Sequence, residues 1–129
     1  MEQSRMIFLD SWIWLEVFSK SGKWEKCKDI ILSKTKKVIS TIVIMEVKYR
    51  GMKKFGLKKT AEILYYIESD ENIKIIPITT EIARAAADLR YKYHTKNREV
   101  SYGDMINLAT ALVTGCEVLY SGDDDFKAP

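Results

Sequence analysis

Short apolar runs that alternate with segments of helical periodicity constrain the fold of this chain most strongly. The runs are Met6–Leu9, Val38–Ser40, Ile73–Ile78 and Val118–Tyr120, and none has a polar face. Strands of this kind are typical of a parallel sheet that is covered on both sides. Because helical segments lie between them, the pattern predicts a layered α/β fold with a parallel sheet. Pro77 predicts that the third run ends near a sheet edge.

The segments between the runs have the spacing of amphipathic helices. We expect Gly51 to end the third of these helices and Gly115 to end the last one. No linker, repeat or low-complexity tract divides the chain, so residues 1–129 are predicted to form one domain. The predicted helical segments are Ser11–Leu15, Trp24–Ile31, Ile42–Tyr49, Leu57–Tyr65, Ile82–Tyr93 and Ser101–Leu112.

The histidine and cysteine content limits the chemistry available to the chain. A single histidine, His94, excludes a two-histidine acid/base pair and a two-histidine zinc motif. Cys27 and Cys116 lie far apart in sequence, which argues against a zinc module and against a disulfide scaffold. No apolar segment is long enough to span a membrane and the first residues lack a signal-peptide pattern, so we expect a cytoplasmic protein. Carboxylates and cations must then carry any polar chemistry.

The net charge of +3 conceals a strong asymmetry. Residues 20–60 contain 13 Lys and Arg against three acids, a local balance of +10, whereas residues 1–19 sum to −2 and residues 61–129 to −5. Such clustering is the usual electrostatic footprint of a polyanionic partner. The same lysines could also be the solvated faces of two helices, and composition does not separate these interpretations.

Four acidic residues lie where the pattern predicts burial or a strand end. Asp10 follows the first strand directly, Glu46 interrupts an apolar stretch, Asp104 lies in the first turn of its helix, and Asp123 follows the last strand. In open parallel sheets, ligands bind in the crevice beyond the carboxyl ends of the strands. We therefore expect these four carboxylates to meet in one crevice.

Each carboxylate also has a purely structural interpretation. Asp10 could be a helix N-cap, and Asp104 could belong to a capping box that begins at Ser101. Asp123 could belong to an ordinary acidic turn. Glu46 is the hardest to explain structurally, because an unpaired charge on an apolar helix face is costly to desolvate. If the four converge, a cation must offset their repulsion, and an all-oxygen ligand set favours Mg²⁺ or Mn²⁺.

The ordered set of motifs resembles the PIN-domain nucleases, and within them the VapC-type toxins of toxin–antitoxin pairs. The resemblance extends over nearly the whole chain. It is carried by the segments Phe8–Ser11, Ile44–Val47, Ser101–Ala111 and Leu119–Phe126. It implies a three-layer α/β/α sandwich with a central parallel sheet and an acidic pocket that holds Mg²⁺ or Mn²⁺. The implied activity is cleavage of single-stranded RNA.

The resemblance also implies roles for individual residues. Asp10, Glu46, Asp104 and Asp123 would be the catalytic, metal-binding acids. Ser121 would hydrogen-bond a carboxylate or a water on the metal, and Asp125 would be an auxiliary residue. Which acid of the triplet Asp123–Asp125 faces the metal stays open, with Asp123 preferred. A protein of this kind would form a homodimer and would be blocked by an antitoxin, a segment of which enters the acidic pocket.

Two other functions stay open at this stage. The chain could be a non-catalytic module that binds RNA or protein, with its acids as structural caps, or a housekeeping RNA-processing nuclease. In the nuclease interpretation, the basic residues between Lys20 and Lys59 would contact RNA phosphates. The aromatic residues Trp12, Trp14, Tyr49 and Tyr102 are candidates for base stacking, although aromatics at helical spacing more often belong to a core.

Overall fold

Strands and helices alternate along the chain. The computed structural model describes residues 5–122. The predicted strands and helices are all present, although two of the predicted helices are joined in one element and the bounds of several others differ. The elements are β1 (Met6–Leu9), α1 (Ser11–Ser19), α2 (Trp24–Leu32), β2 (Lys36–Ser40), α3 (Thr41–Ser69), β3 (Ile73–Ile76), α4 (Thr80–Tyr93), α5 (Tyr102–Thr114) and β4 (Val118–Tyr120).

The four strands form one parallel sheet in the order β3-β2-β1-β4. The chain therefore moves outward from β1 to β3 and then returns to the other side of β1. Right-handed crossovers consequently place α1, α2 and α3 on one face and α4 and α5 on the other. The result is the predicted three-layer α/β/α sandwich. The strand order reverses between β1 and β4, and such a point is where open sheets bind ligands.

The core lies on both faces of the two central strands. Phe8 and Leu9 of β1 and Val38 and Ile39 of β2 are all 0% exposed. Helices from both layers cover them, among them α1 through Trp14, which is also 0% exposed. This burial on both faces explains why the strands have no polar side. Within residues 5–122, no helix is long and apolar enough to cross a membrane.

Helix α3 differs from the sequence prediction. Gly51 does not end it, because the helical segment extends to Ser69 across a kink at Gly56, where φ is 86°. Gly51 is instead buried, and a Cβ atom there would lie 2.9 Å from the Thr60 hydroxyl oxygen. The kink therefore folds the second part of the helix back against the first at a point where only glycine leaves enough room.

The buried face of α3 also differs from the predicted one. In the sequence, Ile42, Met45 and Tyr49 recur at helical spacing, which predicts that they share the apolar face, but Met45 and Tyr49 are both 59% exposed. Val43 and Val47 face the core instead, each 0% exposed. In the second part of the helix, the spacing of Leu57, Leu64 and Tyr65 predicts an apolar face. Leu57 and Tyr65 are likewise exposed, whereas Ile63 and Ile67 are buried. Strand β3 ends at Ile76, two residues before its predicted end, and it does lie at a sheet edge.

Candidate active site

Three acidic residues and a serine approach one crevice from four different elements. Asp10 directly follows β1, and Ser121 directly follows the neighbouring strand β4. Glu46 lies in the second turn of α3, which begins as soon as β2 ends, and Asp104 lies in the first turn of α5. The crevice is therefore at the carboxyl ends of the central strands, where the strand order reverses.

Asp10 is held by hydrogen bonds to both carboxylate oxygens. Its Oδ1 accepts from the Ser11 backbone N–H at 2.6 Å and from Asn107 Nδ2 at 3.4 Å, and its Oδ2 accepts from the Ser121 hydroxyl at 3.2 Å. The bond from the Ser11 N–H makes Asp10 the N-cap of α1, as the structural interpretation of this residue predicts. The contacts from Ser121 and Asn107 are not part of a cap. They aim the carboxylate at the crevice.

The three carboxylates affect one another electrostatically. Burial raises the pKa of Asp10 above its ordinary value, and the charge of Asp104 raises it further, against the lowering effect of the Ser11 and Ser121 hydrogen bonds. Burial also raises the pKa of Glu46, as do the charges of Asp10 and Asp104, while Arg50 lowers it. These mutual effects show that the three groups share one local environment.

The Glu46 carboxylate is only partly satisfied, since a hydrogen bond from the Ser11 side chain lowers its pKa but does not reach both oxygens. Its Oε1 atom is buried and has no hydrogen-bond partner among the described residues. The side chain borders the N-terminus of α5, because a Cβ atom on Gly103 would lie 3.7 Å from Glu46 Oε2. A buried carboxylate oxygen without a donor is costly unless a cation or water meets it.

Asp104 is positioned by the start of its helix. The Ser101 hydroxyl accepts a hydrogen bond from the Asp104 backbone N–H at 3.0 Å, so Ser101 is the N-cap of α5, as expected. Within residues 5–122 the return bond of a full capping box, from the Ser101 N–H to the Asp104 carboxylate, is not formed. The carboxylate of Asp104 is therefore not occupied by capping its own helix.

Buried polar residues behind Asp10 were not identified from the sequence. Asn107 is 3% exposed and Ser40 is 0% exposed. The Ser40 hydroxyl donates to Asn107 Oδ1 at 2.6 Å, and Asn107 in turn donates to Asp10. Asn107 interrupts the apolar face of α5 much as Glu46 interrupts an apolar stretch, and that interruption was the available signal.

The donor chemistry of the crevice fits a hard divalent cation. The candidate ligands are all carboxylate oxygens, and the buried, unpartnered Oε1 of Glu46 is an open donor of this kind. The ligand set is not complete in the described part of the chain, since no three Asp, Glu, His or Cys side chains come close enough there to enclose an ion. Asp123, Asp124 and Asp125 lie outside the described residues.

A groove with basic residues leads to Ser121 from the α2 side. It is lined by Trp12, Ser121 and Gly122 and by the lysines Lys23 and Lys26. Trp12 packs against the chain after β4 so closely that a Cβ atom on Gly122 would lie 2.8 Å from the indole ring. The sole salt bridge formed within residues 5–122 joins Arg5 and Glu117, so no ion pair among these residues neutralises the basic segment.

One lysine of the basic segment does not contribute to that surface. Lys37 is 1% exposed on β2, and its ammonium group donates to the Ser33 carbonyl oxygen. Burial lowers the pKa of Lys37. The other twelve Lys and Arg of residues 20–60 are all exposed.

A second groove, which is mostly apolar, lies between α1, α2 and the second part of α3. Its floor consists of Val17, Phe18, Trp24, Ile31, Leu32 and Tyr66. Three lysines border it, with Lys20 and Lys28 against the Trp24 ring and Lys59 against the Phe18 ring. An apolar floor with a basic rim is suited to an amphipathic, acidic segment of another protein.

Sequence and structure comparisons establish the family. The family model for the PIN domain matches residues 7–129, so the chain belongs to the PIN-domain family, whose members are nucleases. No curated protein sequence is significantly similar to the chain.

Solved structures of VapC toxins and their complexes share the fold. VapC20 of Mycobacterium tuberculosis, described as a toxin that cleaves the sarcin–ricin loop, is 19% identical with a TM-score of 0.78, and the match covers 93% of this chain and 92% of that one. A toxin–antitoxin complex of Klebsiella pneumoniae is 26% identical with a TM-score of 0.67, covering 91% and 86%. VapBC2 of Rickettsia felis, bound to a fragment of its promoter DNA, is 16% identical with a TM-score of 0.72, covering 93% and 89%.

Proposed function

We propose that the protein is a metal-dependent endoribonuclease that cleaves single-stranded RNA, and that it is the toxin of a toxin–antitoxin pair. One observation carries the nuclease proposal. Carboxylates from three separate elements act on one another in the crevice where the strand order reverses, and one of their oxygens is buried without a donor. Membership of a nuclease family supports the same conclusion.

Asp10, Glu46 and Asp104 would hold the cation together with Asp123. A bound Mg²⁺ or Mn²⁺ ion supplies positive charge for phosphate oxygens and lowers the pKa of a water molecule. Asp10 is oriented for this task by Ser121 and Asn107, as described above. Because the attacking group would be water, the products would carry a 5′-phosphate and a 3′-hydroxyl, and no histidine pair is needed.

Basic residues near the crevice would bind the RNA backbone. Lys23 and Lys26 line the groove that reaches Ser121, and Arg50 is close enough to lower the pKa of Glu46. Contacts of this type give affinity and position the strand without selecting a sequence. Asp125 is proposed as an auxiliary residue of the same pocket.

Cleavage of a single-stranded RNA by the full chain tests the proposal. We expect cleavage with Mg²⁺ or Mn²⁺ and none with EDTA, and a loss of at least about a hundredfold for Asp10→Asn and for Asp104→Asn. Asp88→Asn, which changes an exposed carboxylate on α4, is the matched control. Equal cleavage by wild type and Asp10→Asn would refute the metal mechanism.

Thermal melting provides a test that does not depend on activity. Added Mn²⁺ should raise the melting temperature by mass action, because it would bind the folded carboxylate cluster and not the unfolded chain. The shift should be much smaller in Asp10→Asn and unchanged in Asp88→Asn. No shift in the wild-type protein favours the alternative, a non-catalytic RNA- or protein-binding module.

The proposed antitoxin would contact the lysine-rimmed apolar groove and reach the acidic pocket. Solved relatives include toxin–antitoxin complexes, which supports a partner of this kind. We expect co-expression with the product of an adjacent small reading frame to give a stable complex and to suppress cleavage. Trp24→Ala should weaken that complex without changing the cleavage rate of the free protein. A chain with no such neighbouring frame would instead favour a housekeeping RNA-processing nuclease.

A homodimer is the second proposed assembly. Met45 and Tyr49 on α3 are large apolar side chains that are more than half exposed, and such a surface is typical of an interface. Sedimentation analysis over a range of concentrations checks this. A protein that stays monomeric at high micromolar concentration would contradict it.

A further inference from the structure

A second basic stretch, remote from the first in sequence, covers the last turn of α4 and the beginning of the link to α5. Residues 90–98 contain four Lys and Arg and no acid, a local charge of +4 within a region whose total is −5. Aromatic residues are interleaved with these cations, as in the run Arg90-Tyr91-Lys92-Tyr93. Cations mixed with aromatic rings are characteristic of surfaces that bind single-stranded nucleic acid.

The link from α4 to α5 is held by local hydrogen bonds. The Nδ1 atom of His94 accepts from the Val100 backbone N–H at 3.3 Å. Thr95 and Arg98 exchange backbone hydrogen bonds of 2.8 and 3.2 Å. The basic stretch is therefore presented on the end of a helix and on the hydrogen-bonded turn that follows it.

Arg90 and Tyr102 form the tightest of the cation–aromatic contacts in the described structure. The guanidinium carbon of Arg90 lies 4.2 Å from the centre of the Tyr102 ring. The Nε atom of Arg90 is buried and has no hydrogen-bond partner among residues 5–122, so the contact with the ring is what orders this end of the side chain. Tyr102 is nevertheless 72% exposed, which means that the face opposite the guanidinium is open to solvent.

The Tyr102 ring and the carboxylate crevice lie at the same end of α5. Tyr102 and Asp104 belong to the first turn of α5, and their Cα atoms are separated by a rise of only about 3 Å along the helix axis. The Tyr102 ring contacts α4, whereas the charge of Asp104 acts on Asp10 and Glu46. Because these two side chains point to different sides of the helix, an RNA strand that stacks on the ring would cross the N-terminal end of α5 to reach the crevice.

We infer that Tyr102, backed by Arg90, is a stacking platform for one base of a single-stranded RNA, and that the basic stretch 90–98 binds the adjoining phosphates. The inference rests on the proposed nuclease function and adds the surface by which the substrate is received. It also distinguishes Tyr102 from the two tryptophan candidates, because Trp14 is 0% exposed and Trp12 is packed against Gly122. Double-stranded nucleic acid does not fit, since its bases are already stacked.

Binding measured without cleavage tests the platform. The probes are a fluorescently labelled ten-nucleotide single-stranded RNA and a matched oligonucleotide that lacks bases, both in EDTA at low salt. Tyr102→Ala should weaken binding of the base-bearing RNA by about tenfold, as expected for loss of one stacked base, and should leave binding of the abasic strand almost unchanged. Tyr102→Phe should bind both probes like the wild-type protein.

Two controls separate stacking from other effects. Tyr65→Ala removes a ring that is 75% exposed on α3 and should change neither affinity. Arg90→Lys keeps the charge but removes the planar group behind the ring, and should weaken binding of the base-bearing RNA selectively. Circular dichroism and melting of each variant verify that the fold is retained.

The outcomes distinguish this inference from the proposed function. If the wild-type protein cleaves RNA and Tyr102→Ala binds both probes with wild-type affinity, the platform is refuted and the nuclease proposal stands. Equal losses on the two probes, or no measurable binding of RNA by the wild-type protein, refute the platform as well. If base-selective binding depends on Tyr102 while no divalent cation supports cleavage, the platform stands and the nuclease proposal fails.

Discussion

Asn107 joins Asp10 to the buried end of β2. Its Nδ2 donates to Asp10 Oδ1 at 3.4 Å, and its Oδ1 accepts from the Ser40 hydroxyl at 2.6 Å. Both Asn107 and Ser40 are shielded from solvent, so they have little opportunity to exchange these partners for water. The orientation of the Asp10 carboxylate is consequently tied to the strand from which α3 and Glu46 begin.

Asn107→Ala should impair cleavage through Asp10. We expect about a 10- to 100-fold lower rate, the range seen when a group that orients a ligand is removed, together with a need for more Mn²⁺ to reach half of the maximal rate. The unpaired Ser40 hydroxyl should also lower the free energy of unfolding by about 1–3 kcal/mol.

Ser40→Ala is the matched control for that loss of stability. It breaks the same buried pair but leaves the bond from Asn107 to Asp10, so its Mn²⁺ requirement should remain close to that of the wild-type protein. Initial rates across a Mn²⁺ titration, at a temperature where both variants are folded, provide the comparison. Identical Mn²⁺ curves for the two variants would contradict a positioning role for Asn107.

The contribution of Glu46 to the free energy of unfolding of the metal-free protein should decrease as the pH rises. Burial and the charges of Asp10 and Asp104 raise the pKa of Glu46 above its ordinary value of 4.5, so the folded chain retains this proton to a higher pH than the unfolded chain does. The contribution to stability is complete below pH 4.5 and is lost as the pH rises through the raised pKa of the folded state. Asp10 acts in the same direction.

Glu46→Gln should abolish the share of this pH-dependent loss of stability that comes from the ionisation of Glu46. The variant should gain stability relative to wild type, and the gain should grow with pH until Glu46 is ionised in the folded wild-type protein. Urea unfolding in EDTA at several pH values from about 4 to 8 measures it. Glu62→Gln, at an exposed position of the same helix, should show no such trend. A Glu46→Gln difference that is independent of pH would argue against a buried, repelled carboxylate.

Gly51→Ala should destabilise the protein although it lies within a helix. An exposed helical glycine replaced by alanine gains about 1 kcal/mol. Here the new Cβ atom would lie 2.9 Å from Thr60 Oγ1 and 3.1 Å from Thr60 Cγ2, so overpacking should cost about 1–3 kcal/mol. Thermal or urea unfolding measures this change.

Two further variants examine the cause of that destabilisation. Gly103→Ala, where the nearest atom would be 3.7 Å away, should not destabilise the protein. Thr60→Ala removes the atoms that the new Cβ atom meets, so the double variant should lose less than the sum of the two single losses. Strict additivity would indicate that the contact with Thr60 is not responsible.

The fold could be predicted from the sequence because each strand is a short apolar run between helical segments. The placement of Asp10 and Asp104 followed from the same pattern, since each lies at a boundary between elements. The buried face of α3 could not be predicted in this way. Its first part has apolar residues at helical spacing on more than one side, so Val43 and Val47 compete with Ile42 and Met45, and only the packing against the sheet selects between them.

The contacts behind and beside the site depend on packing between elements that are distant in sequence. Asn107 and Ser40 are separated by 67 positions, and nothing local indicates that their side chains meet. Arg90 and Tyr102 meet because α4 packs on α5. Neutral residues such as Asn107 also give a weaker signal than Glu46, because a buried amide costs less to desolvate than a buried charge and so demands a partner less strongly.

Lysine substitutions near Ser121 should change the salt dependence of RNA binding. Lys26 lines the groove that leads to the crevice, and the exposed groups around it are not neutralised by described ion pairs. If Lys26 contacts one phosphate, Lys26→Ala should lower the slope of log affinity against log salt by about 0.7, with a similar loss of affinity for every single-stranded sequence. Lys74→Ala removes the same charge from β3, at the opposite edge of the sheet from β4, and should leave the slope unchanged.

Because Tyr102 acts through a base and Lys26 through a phosphate, Tyr102→Ala should weaken binding without altering the slope. A slope that falls equally in the Lys26 and Lys74 variants would show that net charge, and not this groove, governs the binding of RNA.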